Sequence, residues 1–171
     1  MTRRLHTAAF IQILLIALIP ATPTFGQGGH GGRGMMGDAA HAADMQLFHQ
    51  LFEHRTEITR QVVAREDGIE TVTESKNLEV TRLLQTHVAA MLARVKEGRP
   101  IHQRDPLFVE LFNNADRIDA RHELTTGGVR VIETSKDAYV VKLLQAHAEV
   151  VSAFLANGMS EMMKNHPVPP R

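Results

Sequence analysis

Two histidines occupy equivalent places in the chain and could bind a metal ion. His87 and His147 each lie in an apolar stretch with helical spacing, and Met91 follows His87 by one helical turn. Neutral imidazoles bind Zn²⁺, copper and haem iron, and a methionine thioether can add a soft third ligand. Alternatively, both are core histidines that each donate one hydrogen bond to a backbone carbonyl. The sequence pattern fits either role.

A second group of candidate ligands lies near the carboxyl terminus. Met159, Met162, Met163 and His166 have the spacing of a single helical face. Thioethers favour Cu(I), and in a chain without cysteine they are the soft ligands available. The alternative is that these methionines are the buried face of a terminal helix.

A third group of histidines and methionines precedes the first long apolar pattern. Its members are His30, Met35, Met36, His41, Met45 and His49. Together with the other two groups, it predicts a transition-metal-binding protein, with copper expected first and zinc or haem iron as weaker candidates.

The motifs of several enzyme classes are missing from the sequence. Ser75 and Ser135 precede predicted helices, where serine usually caps the helix, and no nucleophile elbow is present. His122-Glu123 is not followed by the second histidine of a zinc protease motif. With no cysteine, covalent c-type haem attachment and disulfides are excluded. We therefore expect a non-enzymatic protein.

The first 26 residues have the pattern of a signal peptide. Arg3 and Arg4 form a basic n-region, residues 8–19 an apolar h-region, and residues 24–26 a small-residue end suited to cleavage. We expect a periplasmic or secreted protein without a membrane anchor after cleavage. Removing two of the 19 basic residues leaves 17 against 19 acidic residues, so nucleic acid is not an expected partner.

The remaining chain contains an internal duplication with an offset of 60 residues. From Leu47 and Leu107 to Gly98 and Gly158 the two copies align without a gap, and 15 of the 52 pairs are identical. We divide the chain into a signal peptide (1–26), a flexible Gly/His/Met-rich tail (27–44), repeat 1 (45–98), a linker (99–104), repeat 2 (105–158) and a Met-rich helix with a Pro-rich tail (159–171).

Each repeat is predicted to contain a helix, two strands and a second helix. The first helices are expected at 39–53 and from Asp105, which caps its helix before Pro106. Strands are expected at 58–65 and 69–74, and at 118–125 and 129–134, with glycine-containing turns between them. Ser75 and Ser135 are the expected N-caps of the second helices, and Gly98 and Gly158 the expected C-caps.

These elements predict an α+β fold of two tandem αββα repeats. Two hairpins that each need one covered face most simply form one four-stranded antiparallel sheet with the helices on one side. Outward Glu70, Glu74, Arg130 and Glu133 would leave the other face to a partner or a second copy. The alternative function is therefore a metal-free interaction or structural module, which could be a homodimer.

The most regular part of the duplication carries a resemblance. The second copy reads Glu-Thr-Ser-Lys-Asp at 133–137 and Leu-Leu-Gln-Ala-His at 143–147, and the first copy has a weaker version. This pattern resembles a group of exported bacterial proteins without an assigned activity. The resemblance covers most of the chain after residue 26 and implies an exported two-repeat protein, without implying any site residue.

Overall fold

The structure, a computed structural model, describes residues 39–171, with side chains from residue 41 onward. The expected signal peptide, residues 27–38 of the expected tail, and His30, Met35 and Met36 lie outside the described residues. The elements, in chain order, are α1 (Ala39–Glu53), β1 (Ile58–Arg65), β2 (Gly68–Ser75), α2 (Leu78–Glu97), α3 (Pro106–Asn113), β3 (Asp119–Leu124), β4 (Gly128–Thr134), α4 (Ala138–Asn157) and α5 (Met159–Met162).

The predicted fold class is confirmed. The four strands form one antiparallel sheet in the order β1-β2-β4-β3. The junction between the repeats is the β2–β4 pair, where Thr71 lies opposite Val131. Because these two residues are 60 positions apart, they are equivalent in the duplication, and the pseudo-twofold axis passes between them. Each hairpin therefore meets the other at its return strand.

The long helices cover the strands of the opposite repeat. α2 packs against β4 and β3 as well as β2, and α4 packs against β2 and β1. Gln85 Nε2 on α2 donates to Gly128 O at 3.1 Å, and Gln145 Nε2 on α4 donates to Arg65 O at 3.1 Å. Each glutamine thus binds the hairpin turn of the other repeat, which explains why a polar residue is identical in both copies.

Glycine is required in β2 and β4 by the close approach of the two strands. The predicted positive backbone angle of the turn glycines is found at Gly68, whose φ is 156°, but not at Gly127 and Gly128. A Cβ on Gly68 would lie 1.9 Å from Glu133 O, and one on Gly128 would lie 2.0 Å from Thr73 O. The close approach of the two return strands therefore excludes a side chain at both positions.

The second helices begin two residues later than expected. Asn77 and Asp137 are the N-caps, since their side chains accept hydrogen bonds from Glu79 N at 3.0 Å and Tyr139 N at 2.9 Å. Ser75 N instead donates to Gly127 O, and Ser135 N to Asp67 O, both at 2.8 Å. The predicted serine caps are thus wrong, because Ser75 Oγ accepts from Asn77 N at 3.1 Å and Ser135 Oγ from Asp137 N at 3.2 Å, so each hydroxyl bonds the cap residue and not the first turn of the helix.

The other predicted helix ends agree with the structure. Asp105 caps α3 with Pro106 at its first position, and Gly98 ends α2 with a left-handed φ of 61°. α1 begins at Ala39, so residues 39–44 of the expected tail are helical. The terminal helix is shorter than predicted, because α5 ends at Met162.

The main core lies between the sheet and α3 and α4. Ile69, Leu107, Leu143 and Leu144 are almost fully buried there. Within residues 39–171, α4 is the helix whose length and apolar composition would suffice to cross a membrane. The core helix of a water-soluble domain meets the same test, and α4 supplies much of the core found here.

Candidate functional site

A half-open cavity lies between the helices and the sheet, and we call it the central cavity. Its volume is about 480 Å³. α1, α2, α3 and α4 form its walls, and the helix-facing side of the sheet forms its floor. The walls are mainly apolar and aromatic, with Phe48, Phe52, Leu84, Phe108 and Phe154 among the lining residues.

Both predicted histidines line this cavity. His87 on α2 packs edge-on against Phe48, with ring centroids 4.6 Å apart, and His147 on α4 packs in the same way against Phe108 at 5.1 Å. Since Phe48 and Phe108 are themselves equivalent, the duplication places two matching His–Phe pairs around one cavity. Met91, the predicted third ligand, also lines the cavity.

The two imidazoles are neutral near pH 7. Burial lowers the pKa of His87 and of His147 to about 4 in each case. Asp44 acts in the opposite direction on His87, and Asp105 does so on His147, without reversing the shift. In both rings Nδ1 is buried without a hydrogen-bond partner. The expected bond to a backbone carbonyl is therefore not made through this atom.

Charged residues on the cavity floor were missed or misplaced by the sequence reasoning. Arg60 on β1 lies opposite Thr73 on β2, and its Nη1 donates to Thr73 Oγ1 at 2.8 Å. Its Nε is buried without a hydrogen-bond partner. Glu133 on β4 was expected to point outward, but it pairs with buried Ile69 and lines the cavity, so that prediction is wrong.

Burial shifts the pKa of both charged groups toward the neutral form. It lowers the pKa of Arg60 and raises that of Glu133, and the attraction between the two partly opposes each shift. The two side chains interact electrostatically without a hydrogen bond between them in the described part of the chain. A comparison of the two copies distinguishes both residues, because Arg60 corresponds to Ala120 and Glu133 corresponds to Thr73. A charge present in only one copy marks a site that the fold itself does not require.

A buried ion pair fastens α1 over the cavity. Arg94 on α2 donates through Nε to Asp44 Oδ2 on α1, and the two side chains are only 3% and 8% exposed. α1 contributes Met45, Phe48 and Phe52 to the cavity wall. The pair therefore holds one wall of the central cavity in place.

A smaller pocket of about 170 Å³ lies beside the central cavity, where α1, the 99–104 segment and α5 meet. Four methionines and two histidines line it, and we call these side chains the Met/His cluster: Met45, His49, His102, Met159, Met162 and Met163. The structure thus brings Met45 to the three terminal methionines. His49, from the third predicted group, also lines this pocket, and so does His102, which the sequence did not single out as a ligand.

The alternative interpretation of the terminal methionines, a buried helix face, describes only one of them. Met162 is partly buried and packs against the core, whereas Met159 is 44% and Met163 62% exposed. Two methionine side chains that line the smaller pocket are therefore exposed and not buried in the core.

His166 is engaged elsewhere. Its Nδ1 lies 2.5 Å from Asp105 Oδ2 and its Nε2 lies 3.1 Å from Glu161 Oε1. Burial alone would lower the pKa of His166, but the bonds to these two carboxylates outweigh it and raise the pKa. With both ring nitrogens occupied, His166 fastens the terminal segment to the N-cap of α3.

The remaining predicted ligands have mixed positions. His41 and Met45 line the central cavity, and Met45 also belongs to the Met/His cluster. Residues 39–171 contain no group of three or more histidine and carboxylate side chains arranged to hold a metal ion. Methionine ligands fall outside that criterion.

The second face of the sheet is open. Glu70 and Arg130 form an ion pair there at 2.8 Å, and Arg130 also lies 3.4 Å from Glu123. Val63 is 58% exposed on this face, and all six residues of the edge strand β3 are exposed. This surface corresponds to the predicted interaction face, with Glu133 removed from it.

Comparison with known proteins adds no functional assignment. The chain matches no protein-family model, no curated protein and no solved structure. The function must therefore be inferred from the site itself.

Proposed function

We propose that the protein binds a small, mainly apolar molecule that carries a carboxylate, and that its role is binding and not catalysis. The observation that carries this proposal is Arg60, a guanidinium group inside an apolar cavity whose Nε has no hydrogen-bond partner. The occupant would lie in the central cavity with its carboxylate against Arg60.

A buried cation without a contact anion is costly. Removing an ion from water costs several kcal/mol even after the protein relaxes, and this cost is offset only by a close, well-oriented partner. Glu133 does not provide one, since burial raises its pKa and no hydrogen bond joins it to Arg60. A ligand carboxylate would accept hydrogen bonds from the guanidinium in the forked geometry that arginine favours.

The cavity also suits the rest of such a molecule. Binding cavities for small molecules commonly measure roughly 300–1,000 Å³, are mostly apolar, and contain a few polar groups that orient the ligand. The central cavity, at about 480 Å³ with its aromatic wall, has these properties. The apolar part of the ligand would contact Phe48, Phe52 and Phe154.

The two histidines are assigned a hydrogen-bonding role. A metal-ligating histidine almost always donates its other ring N–H to an acceptor, which orients the ring. Nδ1 of His87 and of His147 has no such acceptor. We infer that Nε2 faces the cavity and carries the proton, because an unfilled acceptor is less costly than an enclosed N–H without a partner. Zinc and haem iron at these histidines remain the weaker alternatives.

The expected location is consistent with the proposal. With the expected signal peptide, the protein would act in the periplasm or outside the cell. A carrier of apolar carboxylates in that compartment needs neither a catalytic group nor a membrane anchor.

The test compares one ligand with and without its charge. The full-length protein is titrated with a fluorescent long-chain fatty acid, such as parinaric acid, and with its methyl ester, for the parent and Arg60→Met. A charge-assisted hydrogen bond contributes about 1.5–3 kcal/mol, so the variant should bind the acid at least about tenfold more weakly and the ester equally well.

The matched control is Arg121→Met. Arg121 is exposed and lies opposite Ile132 on β4. The neighbours of Ile132, Val131 and Glu133, face the cavity, so Arg121 is on the other face of the sheet and its loss removes a positive charge outside the cavity. Equal affinity of the acid for the parent and Arg60→Met, or equal loss in both arginine variants, would contradict the proposal.

The competing proposal is a metal-free interaction or structural module that forms a homodimer. The exposed β3 edge and Val63 on the open sheet face support it. Arg121 and Glu123 on that edge are the kind of charged residues that discourage strand pairing. Light scattering over a range of concentrations tests it directly, and a monomer at all concentrations would rule out the homodimer.

A further inference from the structure

We propose that the Met/His cluster is a Cu(I) site, distinct from the ligand-binding central cavity. Three separate parts of the chain contribute to it: α1 provides Met45 and His49, the 99–104 segment provides His102, and α5 with its C-cap provides Met159, Met162 and Met163. The proposal does not depend on the function of the central cavity.

The type of the side chains selects the ion. Thioethers are soft ligands that favour Cu(I), imidazole nitrogens also bind copper, and hard divalent ions such as Ca²⁺ and Mg²⁺ require oxygen ligands. No aspartate or glutamate is among the residues that line this pocket. Its two charged side chains are Arg104 and Lys164, both positive. These two positive charges repel a divalent ion more strongly than a monovalent one, so they also favour Cu(I) over divalent metal ions.

The exposure of the methionines is explained by ligation and not by packing. Met159 and Met163 are 44% and 62% exposed, so their thioethers lie at the surface of the pocket without being enclosed by the core. Met162, between them, is partly buried and packs against the core. One thioether therefore fixes α5 to the domain, while its neighbours present their sulfur atoms at the rim.

The outer nitrogen of His102 lies near a carboxylate but is not hydrogen-bonded to it. Its Nε2 is buried and lies 3.7 Å from Asp105 Oδ2, an atom that His166 Nδ1 also contacts. A carboxylate beside the outer nitrogen is the usual means of orienting a metal-bound imidazole, and such contacts often shorten on ligand binding. His102 would thus bind through Nδ1, with Asp105 as the orienting carboxylate.

The backbone supports the same position. His102 has a φ of 57°, and among residues 39–171 no other non-glycine residue has a positive φ. Such a conformation costs of order 1–3 kcal/mol and tends to persist where it holds a functional side chain in place. The positive φ of His102 thus occurs at a residue that lines the same pocket as four methionines.

The test measures Cu(I) affinity under anaerobic, reducing conditions by competition with a chromophoric Cu(I) chelator. The variant is Met159→Leu/Met162→Leu/Met163→Leu in the full chain, since leucine preserves the packing volume and removes the sulfur atoms. We expect one tightly bound Cu(I) per parent chain and affinity weaker by about tenfold or more in the variant. X-ray absorption at the copper edge should show more sulfur neighbours in the parent than in the variant, which keeps Met45 of the four methionines.

Two comparisons locate the site and identify the ion. Met91→Leu removes a thioether of the central cavity that is outside the cluster, so it should retain the parent Cu(I) affinity. Zn²⁺ should bind more weakly than Cu(I). Equal Cu(I) affinity in the triple variant, copper bound without sulfur neighbours, or a preference for Zn²⁺ would each overturn the proposal. Near-identical circular dichroism spectra of parent and variant exclude unfolding as the cause of lost binding.

Discussion

The ion pair between Asp44 and Arg94 allows the strongest prediction about the stability of this protein. Replacing Asp44 by asparagine keeps the shape of the side chain but removes the charge that faces Arg94. The arginine is 3% exposed, so it cannot regain water without moving the helix that covers it. Asp44→Asn should therefore destabilise the domain and loosen α1.

The magnitude follows from burial. Removing one partner of a buried ion pair costs roughly 3–5 kcal/mol, because the buried guanidinium loses its contact carboxylate. For a chain of this size, 1 kcal/mol corresponds to about 2–4 °C in Tm, so a loss of about 3 kcal/mol should lower Tm by roughly 6–12 °C. Salt should change this little, since buried pairs are weakly screened.

The assay combines two measurements. Urea unfolding gives the change in the free energy of unfolding, and hydrogen exchange reports whether the amides of α1 open more often than those of α2. The matched control is Glu97→Gln, the same chemical change in an exposed ion pair with Arg99, which should leave stability nearly unchanged. A second variant, Asp44→Leu with Arg94→Met, should recover most of the loss, because it replaces both buried charges by apolar side chains.

One result would refute this reasoning. If Asp44→Asn lowers the free energy of unfolding by less than about 1 kcal/mol, as an exposed pair would, and α1 exchanges no faster than in the parent, the pair does not hold α1 in place.

Two further predictions concern the core. Burial lowers the pKa of His147 to about 4. As the pH is lowered from 6.5 to 4, the unfolded chain takes up a proton at this ring and the folded protein does not. The free energy of unfolding should therefore decrease by up to about 3 kcal/mol over this range because of this ring. Urea unfolding at pH 7 and 4.5 should show a smaller decrease for His147→Leu than for the parent, and equal decreases would contradict the role of the ring. Gly128→Ala would place a Cβ 2.0 Å from Thr73 O and should lower the free energy of unfolding by about 3 kcal/mol. In Gly98→Ala the Cβ meets no atom within 4 Å, so this variant should lose only about 1 kcal/mol, because alanine disfavours the left-handed backbone at this position. Thermal unfolding distinguishes the two, and similar Tm values would show that the return strands can separate at no cost.

Much of the architecture could be predicted from the sequence because the same pattern of elements occurs in both copies of the duplication. The predicted limits of α1 and β1 agree with the structure, and the paired glycines and the Asp105-Pro106 start of α3 were recognisable from local preferences alone. The one-sheet arrangement followed from two hairpins that each need cover. These features depend on residues close together in sequence or on a pattern repeated at a fixed offset.

The candidate sites were only partly readable. His87 and His147 were identified as a pair, but their shared cavity was not, and Arg60 was not considered. Glu133 was assigned to the wrong face because it was grouped with Arg130, which lies three positions away on the same strand, and side chains an odd number of positions apart point to opposite faces. The serine caps were placed two residues too early, because serine, asparagine and aspartate can all cap a helix and local sequence did not decide between them.

The sequence by itself therefore determined the fold class, the duplication and the residue types available for ligand binding. Tertiary structure decided which of those residues meet. The crossing of α2 and α4 over the opposite repeat's strands created the central cavity, and the approach of α5 to α1 assembled the Met/His cluster. Such contacts join residues tens of positions apart, and no local preference or periodicity records them.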